Sequence, residues 1–460
     1  MKINTKLKII IWGILSEAAY LSFWFVKFIN QNKIYNNSIL IKITIVLIIL
    51  LLLYYYQYRV IAQKQKIFPA RLVIFFIILF ALTYLFLPPI GSNDVYVYIS
   101  QSHILTTFKQ NPYLHTISEY PNIRFYKQAQ DWKKMPLTYG PIWVYLTAAT
   151  NLLSFGSPWL NLLLAKIIEL ISYFIIGYLL YKIGKYYKHK KPVLLAYLWL
   201  ANPLVLFEII NNGHNDGVML ALLLASFYFF LKNKNIKAII MFELSVLIKF
   251  APLVLAPVLL VYLIKKSNSQ NAKQKIIVLT KFAIFGLLVL ILSYFPFWSG
   301  KNTFLGLYIQ LTLLSSTSIM SPLPFLLSLG GINNFFIKPF CRIIFIILTL
   351  VIARYFMLDK DEINLNLSKY WSYTIIVFFA TSVFWFTAWY VLWIFPFLLI
   401  SLLDQKNKQQ SLELLMLFSL IGLLDCVLPM SYLLLLLPTV YFFFKFFLGE
   451  NYFHGLKLKQ

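Results

Sequence analysis

The chain has 460 residues, of which 60% are hydrophobic and only 12% are charged, and its mean hydropathy is +0.76. A soluble domain carries about 25% charged residues, so this composition excludes an ordinary soluble protein and indicates a polytopic membrane protein. The formal net charge is +26, but basic residues orient membrane proteins by collecting in their cytoplasmic loops, so we expect no nucleic-acid partner.

The N-terminal segment, residues 1–69, is predicted to form two accessory transmembrane helices. Its first apolar run, residues 9–26, has charged flanks like those of a signal peptide. The run has no small-residue cleavage site and leads into a second apolar run, so we expect it to be retained. Starting with the N-terminus inside, the segments predicted to be cytoplasmic are 1–8, 57–71, 182–192, 232–237, 265–281, 354–369, 404–410 and 445–460, which hold most of the basic residues.

This threading predicts an all-α fold, a polytopic transmembrane helical bundle of about 14 spans with both termini in the cytoplasm. Residues 70–403 form its central transmembrane module, and residues 404–460 form C-terminal transmembrane helices and a basic tail. We therefore expect a multi-pass protein of the cell membrane.

The central module contains a long outer loop, residues 91–138, which is rich in Tyr, Trp and Pro. The apolar stretch 139–155 follows it, but a full crossing there would place the basic cluster 182–191 outside. We therefore predict a juxtamembrane helix at 139–155 that lies at the membrane interface, followed by a span at 159–181. Residues 303–329, which contain two prolines and are followed by a Gly-Gly pair, are predicted to form an outer loop with short helices.

The segment 237–264 has basic residues at both ends, which the threading places on the same side. Lys249, Pro252 and Pro257 interrupt its middle, and proline breaks helices. Two interpretations remain open. Either two short helices meet near the outer surface with Lys249 at the tip, or one long tilted helix carries a lysine that extends toward the headgroups.

Asp94 is the most informative candidate for chemistry. It follows an apolar run and opens the outer loop, in the motif Gly-Ser-Asn-Asp-Val-Tyr-Val-Tyr at 91–98. A charged side chain costs about 2.5–3.5 kcal/mol at the bilayer centre, so an acid near membrane depth requires an explanation. The alternative is that Asp94 only caps the helix that begins near Val95, because aspartate accepts backbone N–H bonds at helix starts.

Other polar and aromatic side chains are predicted to converge on the same outer face. Lys249 is a cation near membrane depth and needs an anionic partner. Asn215 and Asp216 could instead cap the helix after them, and His214 could be an ordinary interfacial histidine. The further candidates are Tyr139, Glu208, Asn212, His214, Asn215, Asp216, Trp389 and Tyr390.

Several short motifs resemble those of the C-superfamily (GT-C) of membrane glycosyltransferases. They occur in order within residues 70–403: Gly-Ser-Asn-Asp-Val-Tyr-Val-Tyr (91–98), Tyr-Gly-Pro-Ile-Trp (139–143), Asn-Pro-Leu-Val-Leu-Phe-Glu (202–208), Asn-Gly-His-Asn-Asp (212–216), Lys-Phe-Ala-Pro (249–252), Pro-Phe-Trp-Ser-Gly (296–300) and Ala-Trp-Tyr-Val-Leu-Trp (388–393). Within that superfamily the chain resembles the bacterial polyprenol-phosphate-mannose-dependent α-1,6-mannosyltransferases and their relatives.

The resemblance implies an integral membrane glycosyltransferase that transfers a hexose, with mannose expected, from a polyprenyl-phosphate sugar to a lipid or glycan acceptor on the extracytoplasmic face. It implies that Asp94 is the base that deprotonates the acceptor hydroxyl and that the anomeric centre is inverted. Lys249 would stabilise the charge of the leaving phosphate, and the other candidates would hold the sugar.

No cofactor is predicted. The sequence contains no Gly-rich phosphate loop, and its two cysteines, Cys341 and Cys426, lack the spacing of a metal site. A divalent ion shared by Asp94 and Asp216 is the alternative, which the family resemblance does not favour.

The alternative function is a transporter or flippase of lipid-linked sugars. Transporters usually contain internal repeats and bind their cargo near the membrane midplane. This chain shows no such repeat, and its polar candidates are predicted to lie at one face.

The threading is tested by labelling single cysteines in a cysteine-free background. The Ser118→Cys variant should react with an impermeant thiol reagent added to intact cells, whereas the Ser267→Cys variant should react only after the cells are opened. The reason is that the basic segments, including 265–281, are placed inside. Labelling of the Ser267→Cys variant from outside would contradict the threading.

Overall fold

The computed structural model describes residues 5–29, 37–62, 69–267, 272–312, 320–404, 408–425 and 431–441. The secondary structure of these ranges is helical and contains no β-strand, which confirms the predicted all-α class. Cys426 and the basic tail predicted at the C-terminus lie outside the described residues.

The helices of the first half of the chain precede or surround the candidate residues. They are α1 (Thr5–Ile29), α2 (Asn37–Ala62), α3 (Ala70–Phe86), α4 (Asp94–Thr106), α5 (Pro141–Leu153), α6 (Pro158–Tyr186), α7 (Val193–Leu200), α8 (Pro203–Val205), α9 (Asp216–Leu231) and α10 (Asn235–Val246). The short α8 continues directly into a π-helix at Leu206–Asn211.

The remaining helices are α11 (Ala256–Lys266), α12 (Ala272–Tyr294), α13 (Leu305–Thr312), α14 (Pro322–Leu329), α15 (Asn334–Leu358), α16 (Ile363–Thr381), α17 (Phe395–Ser401), α18 (Lys408–Asp425) and α19 (Ser431–Leu434). The chain divides into two compact units. The first comprises Met1–Leu253 and Thr280–Leu313, and the second comprises Val254–Leu279 and Leu314–Gln460. The predicted division at residues 69/70 and 403/404 stays a prediction.

Several described helices are long and apolar enough to cross a membrane. They are Thr5–Val26, Ile41–Ala62, Pro158–Tyr186, Lys275–Phe297 and Phe335–Leu358, and α7 with Pro203–Asn211 forms a pair bent by 52° that makes a sixth candidate. These helices support a multi-pass membrane protein. The number of about 14 spans, the cytoplasmic termini and the side on which each loop lies stay predictions.

The predicted segment 139–155 contains a helix, α5, of 13 residues, and its position at the membrane interface stays a prediction. At 1.5 Å per residue it is about 20 Å long and is too short to cross about 30 Å of hydrocarbon. The span predicted at 159–181 lies within α6. In the described part of 303–329 the two helices, α13 and α14, have eight residues each, as predicted for short helices.

The helix is broken around Lys249, as the prolines predict. Helix α10 ends at Val246, a 3₁₀-helix follows at Ala251–Leu255, and α11 begins at Ala256. The interpretation as one continuous tilted helix is therefore wrong. The hairpin arrangement of α10 and α11 stays a prediction.

Arg124 attaches the loop at 91–138 to the turn between α5 and α6 and to the beginning of α6. Its guanidinium donates hydrogen bonds to Ser154 Oγ at 2.9 Å, to Asn161 Oδ1 at 2.7 Å and to the Gly156 carbonyl oxygen at 2.8 Å. A second attachment joins the Asn111 amide to the Phe297 carbonyl oxygen at 2.9 Å. The loop that begins with α4 is thus attached to neighbouring segments at two positions, Asn111 and Arg124.

The Tyr-Gly-Pro-Ile-Trp motif brings the start of α5 into backbone contact with the segment before Lys249. The Gly140 N–H donates to the Ile248 carbonyl at 3.1 Å, and the Ile142 N–H donates to the Leu247 carbonyl at 3.2 Å. A Cβ atom on Gly140 would overlap the Leu247 carbonyl. Glycine is therefore required here for close approach of two backbones.

The Gly140→Ala variant should lose stability for a purely steric reason, because Gly140 has φ −73° and ψ 161°, which alanine adopts readily. We expect the free energy of unfolding to fall by about 1–3 kcal/mol, measured by denaturation of the purified protein in detergent. Gly330→Ala is the control, since its Cβ would meet only the Leu327 oxygen at 3.4 Å. Equal losses in both variants would contradict the backbone contact.

Candidate active site

The carboxylate of Asp94 points toward a histidine. Asp94 is the first residue of α4, the N-cap is Asn93, and the backbone N–H of Asp94 donates to Ser92 Oγ at 3.1 Å. Asp94 Oδ2 accepts a hydrogen bond from the Tyr98 hydroxyl at 3.2 Å and lies 3.6 Å from His214 Nδ1. The side chain is 17% exposed. These contacts do not support the helix-cap alternative, and they leave the carboxylate within reach of a substrate.

His214 lies between two carboxylates. Its Nδ1 faces Asp94, and its Nε2 lies 3.3 Å from Glu208 Oε2. His214 is fully buried, and the Glu208 side chain is 2% exposed. Glu208 belongs to the π-helix, a rare geometry that is found frequently at functional sites. The structure thus brings Asp94 into one row with Glu208 and His214, which follow it in the sequence by 114 and 120 positions.

The loop that leads into Asp94 is fixed by two asparagines. Asn211 Oδ1 accepts from the Ile90 N–H at 3.1 Å, and Asn211 Nδ2 donates to the Leu87 carbonyl at 3.1 Å. Asn212 Oδ1 accepts from the Gly91 N–H at 2.9 Å, while Asn212 Nδ2 donates to Glu208 Oε2 at 2.9 Å. Asn212 therefore positions the loop and Glu208. Its predicted contact with a sugar stays a prediction.

Lys249 is paired with Asp216. Its Nζ donates to both carboxylate oxygens at 2.9 Å. The Asp216 side chain is fully buried at the start of α9, and the Lys249 side chain is 11% exposed. The anionic partner expected for Lys249 is thus supplied by the protein itself.

Asn215 is the N-cap residue of α9, yet its side chain makes no capping hydrogen bond. The residue is fully buried, and neither its Oδ1 nor its Nδ2 has a hydrogen-bond partner among the described residues. The side chain therefore does not act as a helix cap, and its predicted contact with a substrate stays a prediction.

Aromatic side chains flank Asp94. The ring of Tyr98 packs edge-on against Tyr139, with centroids 5.0 Å apart, and against Trp143 at 5.3 Å. Trp389 and Tyr390 lie in the second unit, in a 3₁₀-helix at Ala388–Ile394. There both are partly buried, and Tyr390 stacks on Trp393 at 4.4 Å. The other candidates all belong to the first unit.

Sequence reasoning missed two contributors to this geometry. Tyr98 is one helical turn from Asp94, and its i, i+4 spacing was a usable signal. Lys166 of α6 is buried and donates to the Tyr84 and Leu87 carbonyl oxygens at 2.8 and 2.6 Å, at the C-terminal end of α3. Lys166 Nζ thus satisfies carbonyl oxygens at the end of α3 and fixes the point at which the loop toward Asp94 begins.

Asp94 and His214 each stabilise the charged form of the other side chain. Burial lowers the pKa of His214, but the two carboxylates that flank the ring, Asp94 and Glu208, outweigh the effect of burial and raise the pKa from 6.5 to about 9. Burial raises the pKa of Asp94, but the His214 cation, the Lys249 charge and the Tyr98 hydroxyl outweigh it and lower the pKa below 3.8. Both groups are therefore ionised near neutral pH.

The two shifts act on stability in opposite pH directions. The contribution of His214 is fully present below its unfolded pKa of 6.5 and is lost as the pH rises through about 9. The contribution of Asp94 is present above 3.8 and is lost as the pH falls through its lower folded value. The charges of Asp94 and His214 are thus both fully stabilising between the two ordinary pKa values, 3.8 and 6.5.

The buried Lys249–Asp216 pair generates a stability prediction. Lys249→Ala leaves the Asp216 carboxylate buried without a counter-charge, and we expect a loss of about 3–5 kcal/mol in unfolding free energy. Adding Asp216→Asn should recover part of it. Lys369→Ala is the control, because its pair with Asp359 at 3.1 Å is more exposed, 23% against 11% for the lysine. Equal losses and no recovery in the double variant would contradict a buried pair.

The chain matches known mannosyltransferases in the region that carries these residues. The family described as alpha-(1->6)-mannopyranosyltransferase, N-terminal domain, matches residues 11–265, which is more than half of the chain and includes every position from Asp94 to Lys249. Trp389 and Tyr390 lie outside the matched region.

Three similar proteins carry mannosyltransferase names. Alpha-(1->6)-mannopyranosyltransferase A of Corynebacterium glutamicum is 21% identical over 173 residues, 38% of this chain and 35% of that protein. GPI mannosyltransferase 1 of Candida albicans is 29% identical over 163 residues, 32% of this chain and 39% of that protein. A probable alpha-(1->6)-mannopyranosyltransferase of Mycolicibacterium smegmatis is 25% identical over 170 residues, 34% of this chain and 28% of that protein.

Each match spans less than two fifths of the length of the relative. The family match, in contrast, covers most of α1, the helices from α2 to α10 and all the motifs between residues 91 and 252. The predicted resemblance is thereby confirmed, and the chain belongs to the alpha-(1->6)-mannopyranosyltransferase family of GT-C membrane proteins.

Proposed function

We propose that the protein is an integral membrane mannosyltransferase. It transfers mannose from a polyprenyl-phosphate donor to a hydroxyl group of a lipid or glycan acceptor on the extracytoplasmic face, with inversion. The observation that carries the proposal is the Asp94 carboxylate, which is ionised, 17% exposed and held by a buried cation within the family-matched region.

Asp94 acts as the general base. A sugar hydroxyl is a weak nucleophile, and a positioned base contributes typically about 10²–10⁴-fold to such a proton transfer. The acceptor proton moves to the carboxylate, the acceptor oxygen bonds to the anomeric carbon, and the carbon–oxygen bond to phosphate breaks with its electron pair on the phosphate. A single in-line displacement of this kind inverts the anomeric centre.

Lys249 stabilises the departing phosphate. An ammonium group has three N–H donors, and two are directed at the oxygens of Asp216. The donor phosphate therefore shares Lys249 with Asp216 instead of meeting an unpaired cation. Asp216 holds the ammonium in place before the donor arrives, and charge stabilisation grows as the phosphate departs.

The sugar ring is held by the side chains around Asp94. Tyr139 supplies an aromatic face next to Tyr98, and Asn215 supplies an amide whose two ends have no hydrogen-bond partner among the described residues. We assign no resident metal to the reaction. The two carboxylates considered for a shared ion, Asp94 and Asp216, are engaged by His214 and Lys249.

The proposal predicts a large effect of Asp94→Asn, which keeps the size of the side chain and removes its basicity. We expect the kcat of transfer to fall by at least about 100-fold, with donor affinity changed little. The assay incubates purified protein with polyprenyl-phosphate mannose and an acceptor and follows release of polyprenyl phosphate.

Glu119→Gln is the matched control, because Glu119 lies in the same outer loop, pairs with His115 on its surface and should not affect transfer. An Asp94→Asn variant within about threefold of the wild-type rate would remove Asp94 from catalysis. Wild-type protein that moved the donor across vesicles without cleaving it would favour the transporter instead.

A further inference from the structure

We propose that Glu208 is a positioning residue that acts on Asp94 through His214, orienting Oδ2 of Asp94 and leaving Oδ1 to take the acceptor proton. This inference rests on the proposed function for its catalytic consequence. Its structural content, a protonated His214 held between two carboxylates, can be tested without the reaction.

The two oxygens of the Asp94 carboxylate have different surroundings. The Tyr98 hydroxyl donates a hydrogen bond to Oδ2 at 3.2 Å, and His214 Nδ1 lies 3.6 Å from the same oxygen. The described residues supply no hydrogen bond to Oδ1. A carboxylate fixed through one oxygen presents the other in a defined direction, as a base needs before its substrate binds.

Glu208 cannot serve as the base itself. It is 1% exposed, and its Oε2 is occupied by Asn212 Nδ2 at 2.9 Å and His214 Nε2 at 3.3 Å. The backbone repeats the connection, because the His214 N–H donates to the Glu208 carbonyl at 3.2 Å. Glu208 therefore fixes the ring through its side chain and its main chain, and its effect reaches Asp94 only through that ring.

The carboxylates of Asp94 and Glu208 require the ring between them, His214, to be protonated. A neutral ring would leave two carboxylates on either side of a buried group without a counter-charge, which a low-dielectric environment penalises strongly. The other charged groups near this stretch do not replace His214. Lys166 packs beside Gly213 but is directed at the end of α3, and Lys249 is paired with Asp216.

A pH profile separates positioning from mere structural support. In Glu208→Gln the ring keeps one carboxylate, so the alkaline limb of kcat/KM should move from about pH 9 toward 6.5, the ordinary value for histidine. The acidic limb should stay nearly in place, because His214 is still protonated at the pH where Asp94 takes up its proton. The kcat should fall about tenfold or more, with KM for the donor nearly unchanged.

Two further variants sharpen this test. Glu208→Asp keeps the charge on a shorter side chain and should restore part of the profile. Glu243→Gln removes an acid of α10 that packs near Gly286, away from this row, and should leave both limbs in place. A folded Glu208→Gln enzyme with the wild-type alkaline limb would overturn the proposal.

The wild-type protein gives a measurement that needs no stable Glu208 variant. Histidine-selective isotope labelling with NMR, assigned through His214→Gln, should show both ring nitrogens of His214 protonated near neutral pH and titration near 9. A neutral His214 ring near neutral pH would overturn the proposal. Absence of transfer from every donor would defeat the proposed function, yet the NMR result would still decide the arrangement.

Discussion

The first unit depends on keeping buried acidic and basic side chains in their charged forms. Two carboxylates and an imidazolium form one row, and a lysine and a third carboxylate form a separate pair. Removing such charges from water costs several kcal/mol for each ion, and only close partners offset that cost. The asparagines after the π-helix, Lys166 at the end of α3 and the backbone contact at Gly140 each place one of these partners.

This arrangement is suited to a reaction in which charge moves over a short distance. Asp94 gains a proton while a phosphate gains charge, and fixed dipoles and ions aimed at the developing charges need no reorganisation during the step. The proposed chemistry therefore uses a base that is kept ionised by His214 and a cation that is kept in place by Asp216. The stability of the fold and the readiness of the site arise from the same pairs.

The composition of the chain and the positions of its apolar runs, basic segments and prolines predicted much of the fold. The apolar content predicted helices, and the prolines around Lys249 predicted the break between α10 and α11. The parity of the basic segments predicted that 139–155 does not cross the membrane, and the 13 residues of α5 are too few to do so. The motifs predicted eight site residues that the first unit contains, and the family match confirmed the resemblance. The partners could not be predicted, because the pairing of Lys249 with Asp216 joins residues 33 positions apart and that of Arg124 with Asn161 joins residues 37 apart. Neither distance follows from local spacing.

The stereochemistry of transfer tests the central claim most directly. Purified protein in lipid vesicles would be given polyprenyl-phosphate mannose of known anomeric configuration and a hydroxyl acceptor, and the new linkage would be determined by NMR. A single displacement with Asp94 as base predicts release of polyprenyl phosphate and a product of inverted configuration. A product that retains the configuration of the donor would contradict the account, since retention requires a second displacement that a base alone does not provide.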